Sequence, residues 1–175
     1  MPVEDPDSRI TERIEAFLEG PPRPQRRRTG SIRPHRPLVL ETAAEWREAL
    51  RREEIRVGRY GRPASIMVVD VAVRTGPDGS AVSAHVLVEP VLEAIRHEAR
   101  ETDHVVRTSA TRFHLLLPET GELDADRFAE RLRAACGDRL NGHGGALLLR
   151  LETMTPGHGA SLSDALDETE RRLVG

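Results

Sequence analysis

Guanidinium and carboxylate groups are the chemically capable side chains of this chain; thiols and imidazole clusters are not. The sequence holds 26 basic residues, every one an arginine, against 29 acidic residues, 7 histidines and a single cysteine. Asp70 interrupts a β-branched run, Val68-Val69-Asp70-Val71-Ala72. Arg100 and Asp103 stand three apart, just before the segment Arg107-Thr108-Ser109-Ala110-Thr111-Arg112-Phe113, and Arg131 follows within Ala129-Glu130-Arg131-Leu132-Arg133. A guanidinium fork binds phosphate oxygens or the guanine O6/N7 edge in bidentate fashion, so such arginines suit anionic or guanine-bearing ligands. Other chemistries lack their parts. His97, His104 and His114 have no Cys or carboxylate companions at zinc-like spacing and read as surface or strand-face residues. His143 and His158 sit in Gly-rich stretches that lack the Lys and spacing of a phosphate loop. No Ser, His and Asp set is placed by an elbow motif. Cys136 falls on the apolar face of a predicted helix and reads as a small core hydrophobe.

The elements that must position these residues follow from pattern. Residues 1–20 form an N-terminal tail in which residues 8–18 read as a short amphipathic helix with Ile10, Ile14, Phe17 and Leu18 on one face, stopped by Gly20 and Pro21. A helix this short is marginal alone, so its stripe is expected to dock on the domain, a second copy or a partner. Residues 21–37 are a Pro/Arg-rich linker. Its Arg26-Arg27-Arg28-Thr29-Gly30-Ser31 run reads as solvated linker; the same run would suit an anionic partner or a basophilic kinase acting at Thr29 or Ser31. The folded domain spans residues 38–175. Residues 41–57 are helical, with Ala43, Trp46, Leu50 and Val57 on one side, and Gly58 and Gly61 break the helix. Residues 65–73 form a strand buried on both faces, and residues 75–80 a turn. A helix covers 91–102, with Val91, Ile95 and Ala99 inward, while its lead-in at 81–90 reads equally as strand or helix. Two short strands, 104–108 and 112–117, flank a tight turn. A helix over 123–135 buries Phe128, Leu132 and Cys136 and is capped by Gly137; a strand covers 146–151, and Ser161 opens the last helix with Asp164 three residues on.

Helix, strand, helix, strand, strand, helix, strand, helix is the order of an α/β (α+β) sandwich. It predicts a ferredoxin-like, cyclase-palm core: a central, mostly antiparallel sheet flanked by helices. The net charge of -3 draws the chain neither to nucleic acid nor to a membrane. One cysteine excludes an internal disulfide and points to a reducing, cytoplasmic setting. No apolar run reaches the length of a membrane span, and the acidic, polar start is not a secretory signal.

Taken together, residues 41–174 resemble the GGDEF domains, the diguanylate cyclases of bacteria. The lead-in Arg56-Val57-Gly58-Arg59-Tyr60-Gly61-Arg62-Pro63, the Asp70 strand, Arg100-Glu101-Thr102-Asp103, Leu115-Leu116-Leu117-Pro118-Glu119-Thr120 and Ser161-Leu162-Ser163-Asp164-Ala165-Leu166 fall in the family's order and near its spacing. The signature itself is lost: Ser109-Ala110-Thr111-Arg112-Phe113 stands where the family reads Gly-Gly-Asp-Glu-Phe. Joining two GTP molecules needs divalent metal to neutralise phosphate charge and activate the 3′-hydroxyl. The resemblance implies one metal ligand from the first strand, which Asp70 keeps, and one from the hairpin, where Thr111 and Arg112 replace the acids. Ala72 has lost the neighbouring acid. An arginine inverts the charge where a dication would sit. Ser109 and Ala110 put a Cβ where close backbone approach needs glycine. The turn at 76–79 is shortened, and His85 falls about where a guanine-reading Asp belongs. The resemblance therefore implies no cyclase activity, no metal and no cofactor, and a degenerate regulatory module acting through a protein partner or as a homodimer. It also implies an alternative: Arg100, Asp103 and Arg131 match the family's inhibitory site and would bind cyclic di-GMP, the carboxylate accepting from guanine N1–H and N2–H. Against that ligand, Arg100 near a helix C-terminus is favourable whether or not anything binds.

Overall fold

A computed structural model of the chain describes residues 39–73, 84–140, 147–157 and 159–174. The expected tail helix, the Arg-rich linker with Thr29 and Ser31, the turn at 75–80, His143 and His158 lie outside the described residues, as does the His85 side chain.

Helix α1 (Ala43–Tyr60) leads into β1 (Ala64–Val73), then α2 (Ala84–Glu98), β2 (His104–Arg107), β3 (Arg112–Pro118), α3 (Glu122–Leu140), β4 (Leu147–Met154) and α4 (Leu162–Val174). The four strands form one sheet in the order β2-β3-β1-β4, and every ladder is antiparallel. From β1 to β4 the helix and strand order is that of the split βαβ, ferredoxin-like fold. β1 is central, which is why its β-branched run carries no polar face until Asp70: Ile66, Met67, Val68 and Val69 are all fully buried. Side chains alternate across the sheet. Met67, Val69, Val71, Phe113, Leu115 and Leu117 face α2 and α3, whose Val91, Ile95, Phe128, Leu132 and Cys136 complete that core. Ile66 and Leu116 face the other way, toward Trp46, Ala49 and Leu50 of α1 and Leu162 and Ala165 of α4. Each large side chain so enclosed contributes about 1.5–3 kcal/mol relative to exposure.

The element ends differ from the pattern reading for local reasons. α1 starts at Ala43 because Thr42 builds a capping box: its Oγ1 accepts from Glu45 N at 3.3 Å, and Glu45 Oε2 accepts from Thr42 N at 2.7 Å. Ala43 is exposed, and Glu53 takes a buried place on the inner face instead. Gly58 lies inside the helix. The stop is Gly61, whose φ of 65° is the left-handed cap that donates to Val57 O. Glu41 is not helical; its N–H donates to Val105 O and shields the β2 edge. The ambiguous lead-in 81–90 resolves into α2 from Ala84, with Pro90 inside the helix. α2 ends at Glu98, short of 102, because the Asp103 carboxylate takes the Arg100 N–H and folds the chain into a turn. α3 runs through Gly137 to Leu140, so that glycine is no cap.

Candidate functional site

The antiparallel register of the sheet brings the hairpin onto Asp70. Asp70 pairs with Arg112 across β1–β3 and with Arg150 across β1–β4, all on the face toward α1 and α4. Both Asp70 oxygens are engaged: Thr111 Oγ1 donates to Oδ1 at 3.1 Å and Arg112 Nη2 to Oδ2 at 3.3 Å. Thr111 and Arg112 thus converge on Asp70, the carboxylate of the central strand. The pair is mostly shielded, with side-chain exposures of 26% for Arg112 and 18% for Asp70.

The turn itself is closed by its own side chains. Ser109 Oγ accepts from the N–H groups of Thr111 at 3.2 Å and Arg112 at 3.1 Å. Arg107 Nε donates to Ser109 O at 3.0 Å and its Nη2 to Ala110 O at 2.6 Å. Glu119 is the one non-glycine residue with positive φ among the described residues, so the turn at Ser109 and Ala110 is built without left-handed backbone. The Ser109 hydroxyl, the Ser109 and Ala110 carbonyls and the Thr111 and Arg112 N–H groups are thus spent within the loop, while Arg112 Nε has no partner among the described residues. The residues present do not fit a divalent cation. One carboxylate is at hand, both its oxygens are taken, and a guanidinium adjoins it; among the described residues no three His, Cys, Asp or Glu side chains are grouped to hold an ion.

The three residues matched to the inhibitory site lie near one another but do different work. Asp103 is 7% exposed. Its Oδ2 accepts from Arg100 N at 2.7 Å, while Oδ1 has no donor among the described residues. Burial raises the Asp103 pKa, opposed by that backbone hydrogen bond and by the charges of Arg100, His104 and Arg131. Arg100 is exposed and makes no side-chain hydrogen bond or ion pair with a described residue. It lines a groove of about 520 Å³ together with Glu53, Arg56, Thr102, His104 and Glu119. Arg131 is engaged on α2 and α3: its Nε donates to Glu98 at 3.1 Å, and its guanidinium lies 5.5 Å from the Phe128 ring centroid.

Several contacts join residues too distant in sequence for spacing to reveal. His114 is buried and bonds Glu170 of α4 at 2.8 Å, so the strand-face histidine has a carboxylate companion in space. His104 Nδ1 meets Glu41 at 2.6 Å. Glu119, at φ 51°, holds its carboxylate between Arg56 and Arg62, at 2.9 and 2.8 Å. Cys136 is a core residue whose thiol burial pushes up to about 11.

Fold and site together define a palm-like α+β domain with a self-capped hairpin. No family model matches the sequence, and no curated protein does. Solved structures do. The GGDEF domain of PA1120 (TpbB or YfiN) from Pseudomonas aeruginosa superposes at TM-score 0.63 with 22% identity, over 78% of this chain and 84% of that one. The GGDEF domain of DgcB from Caulobacter crescentus, solved with c-di-GMP, matches at TM-score 0.62 with 13% identity, over 77% of this chain and 84% of that one. The diguanylate cyclase SiaD from Pseudomonas aeruginosa, solved with its activator SiaC, matches at TM-score 0.61 with 22% identity; the match covers 96% of this chain and spans 63% of SiaD. The chain therefore has the fold of a GGDEF domain.

Proposed function

We propose that this chain is a catalytically inactive GGDEF-fold module that works through protein contacts, with a protein partner or a second copy, in cyclic di-GMP signalling. One observation carries the reading: Arg112 and Thr111 occupy both oxygens of Asp70. A phosphate-bound dication brought there would meet a fixed positive charge and a single, already bonded carboxylate. The hairpin supports the same reading, because the Ser109 hydroxyl takes two backbone N–H groups that are then not free to meet an anionic ligand. Contact with other proteins is in keeping with SiaD, a GGDEF-fold cyclase solved with a protein activator. The test is incubation with GTP and Mg²⁺ and chromatography of the products. No dinucleotide is expected; steady formation of cyclic di-GMP overturns the reading.

A second reading has its own support: a receptor for cyclic di-GMP through Arg100, Asp103 and Arg131. Among the described residues, Asp103 Oδ1 has no donor and the exposed Arg100 guanidinium has no hydrogen-bond or ion-pair partner. Binding requires Arg131 to leave Glu98 or share it. Calorimetry with cyclic di-GMP decides: heat that vanishes in Arg100→Ala supports the receptor, and no heat at high micromolar ligand removes it.

A further inference from the structure

α1 and α4 cover one face of the sheet together, and their outer surfaces carry opposite charge. On α1, the side away from buried Trp46, Ala49, Leu50 and Glu53 presents Arg47, Arg51, Arg52 and Arg59 against a single acid, Glu48, and all five are exposed. Ile55, 51% exposed, stands in their midst. On α4, the side away from buried Leu162, Ala165, Thr169 and Leu173 presents exposed Asp164 and Asp167. Resting on the reading that the module works through protein contacts, we propose that this two-helix layer receives a second copy of the chain, α1 of each copy lying over α4 of the other.

The unspent charges choose the occupant. Glu48 takes Arg51 at 2.8 Å and Arg52 at 3.5 Å, and Glu168 takes Arg171 and, at 3.0 Å, Arg172. Arg47 and Arg59 of α1, and Asp164 and Asp167 of α4, make no side-chain hydrogen bond or ion pair with a described residue. One helix therefore offers guanidinium groups and its neighbour carboxylates. A partner with an acidic ridge beside a basic one answers both at once, and a second copy of this chain has that pattern.

The levels of the charges fit a two-fold axis. Glu54, in the second half of α1, accepts from the Leu162 N–H at 3.1 Å. Trp46, near the start of α1, packs on His114, which bonds Glu170 near the end of α4. The two helices therefore run antiparallel. An axis along them sets each α1 over the other copy's α4 without sliding either lengthwise, and makes the contact isologous. Asp164 of one copy, two residues past Leu162, then falls near the level of Ile55 of the other, between Arg51 and Arg59. An axis across the helices would set arginines on arginines. The patch is one helix long and two wide, roughly 500 Å² per copy, so the contact belongs with the weak, transient ones and should respond to salt.

The experiment is sedimentation velocity on the full chain from about 5 to about 300 μM, in about 50 mM and about 500 mM NaCl. At low salt the mass should rise from 19.4 kDa toward twice that value as concentration increases, and at high salt association should weaken about tenfold. Arg59→Glu sets acid against Asp164 twice, once in each half of the symmetric contact, and should also weaken association about tenfold. Asp164→Arg should do the same. The double variant exchanges the two charges and should recover most of the parent's association. A chain that stays monomeric throughout, a dimer indifferent to salt, an Arg59→Glu variant that associates like the parent, or a double variant as weak as either single overturns the proposal. Failure of the reading beneath it looks different: dinucleotide formed from GTP would overturn that reading whatever the mass in solution.

Discussion

Removing Arg112 should expose how tightly the hairpin is bound to the strand beneath it. At 3.3 Å between Nη2 and Oδ2, two unit charges attract by about 5 kcal/mol at an effective dielectric of about 20. Most of this is offset by desolvation, because the side chains are only 26% and 18% exposed. A net coupling of about 1–2 kcal/mol is expected, above the ~0.2–1 kcal/mol of exposed pairs. Arg112→Ala leaves Asp70 shielded with only the Thr111 hydroxyl, and should cost about 2–3 kcal/mol. Asp70→Asn should cost less alone, since Asn keeps an acceptor for Thr111. The double variant should recover part of the Arg112→Ala loss, because no carboxylate is then stranded. Urea titration of the four proteins measures the cycle. Additive losses, with coupling within about 0.3 kcal/mol of zero, would refute the claim that Arg112 answers Asp70.

Three further outcomes follow from the same geometry. Ser109→Gly should free the Thr111 and Arg112 N–H groups; their amides should exchange faster, with a stability loss of about 1 kcal/mol, and unchanged protection would show that the hydroxyl does not cap the turn. Asp103→Asn keeps an acceptor for the Arg100 N–H and removes a charge that burial disfavours. Since the folded pKa is raised above 3.8, the Asp103 contribution is lost as pH climbs through the folded value, so thermal scans should show the variant gaining on the parent between pH 3.5 and neutrality, roughly the carboxylate range. A variant that only weakens with rising pH would contradict this. Cys136, buried with its thiol pKa near 11, should resist iodoacetamide at pH 8 in the folded protein and react at once in denaturant; rapid native labelling would refute its core placement.

The sequence carried the sheet because strand periods are local. The run from Ser65 to Val73 could only be a strand covered on both sides, and it is the central one. Asp70 and Arg112 were legible as a charge conflict, because the resemblance placed both at one site. Their direct bond was not, since it depends on register across β1 and β3. The end of α2 was missed for a related reason. The apolar period continues to Ala99, and only the Asp103 side chain bonding back to Arg100 shows that the helix must stop. The same bond recasts Asp103: a residue matched to ligand recognition also shapes the turn that carries Arg100. Arg131 was legible as an exposed guanidinium, but its capture by Glu98 required knowing that α2 and α3 lie side by side. The Glu170 partner of His114 could not be read from spacing, because it arrives from the last helix.

The central claim is that the hairpin cannot hold a nucleotide-bound dication. Its most direct test is a titration of the ¹⁵N-labelled protein with Mg²⁺ and GTP, followed through the amides of Asp70 and of Ser109 to Phe113, with Mn²⁺ substituted at the end for its line broadening. These amides should stay in place and broaden no more than other surface amides. Saturable shifts there, with broadening centred on Asp70, would contradict the account.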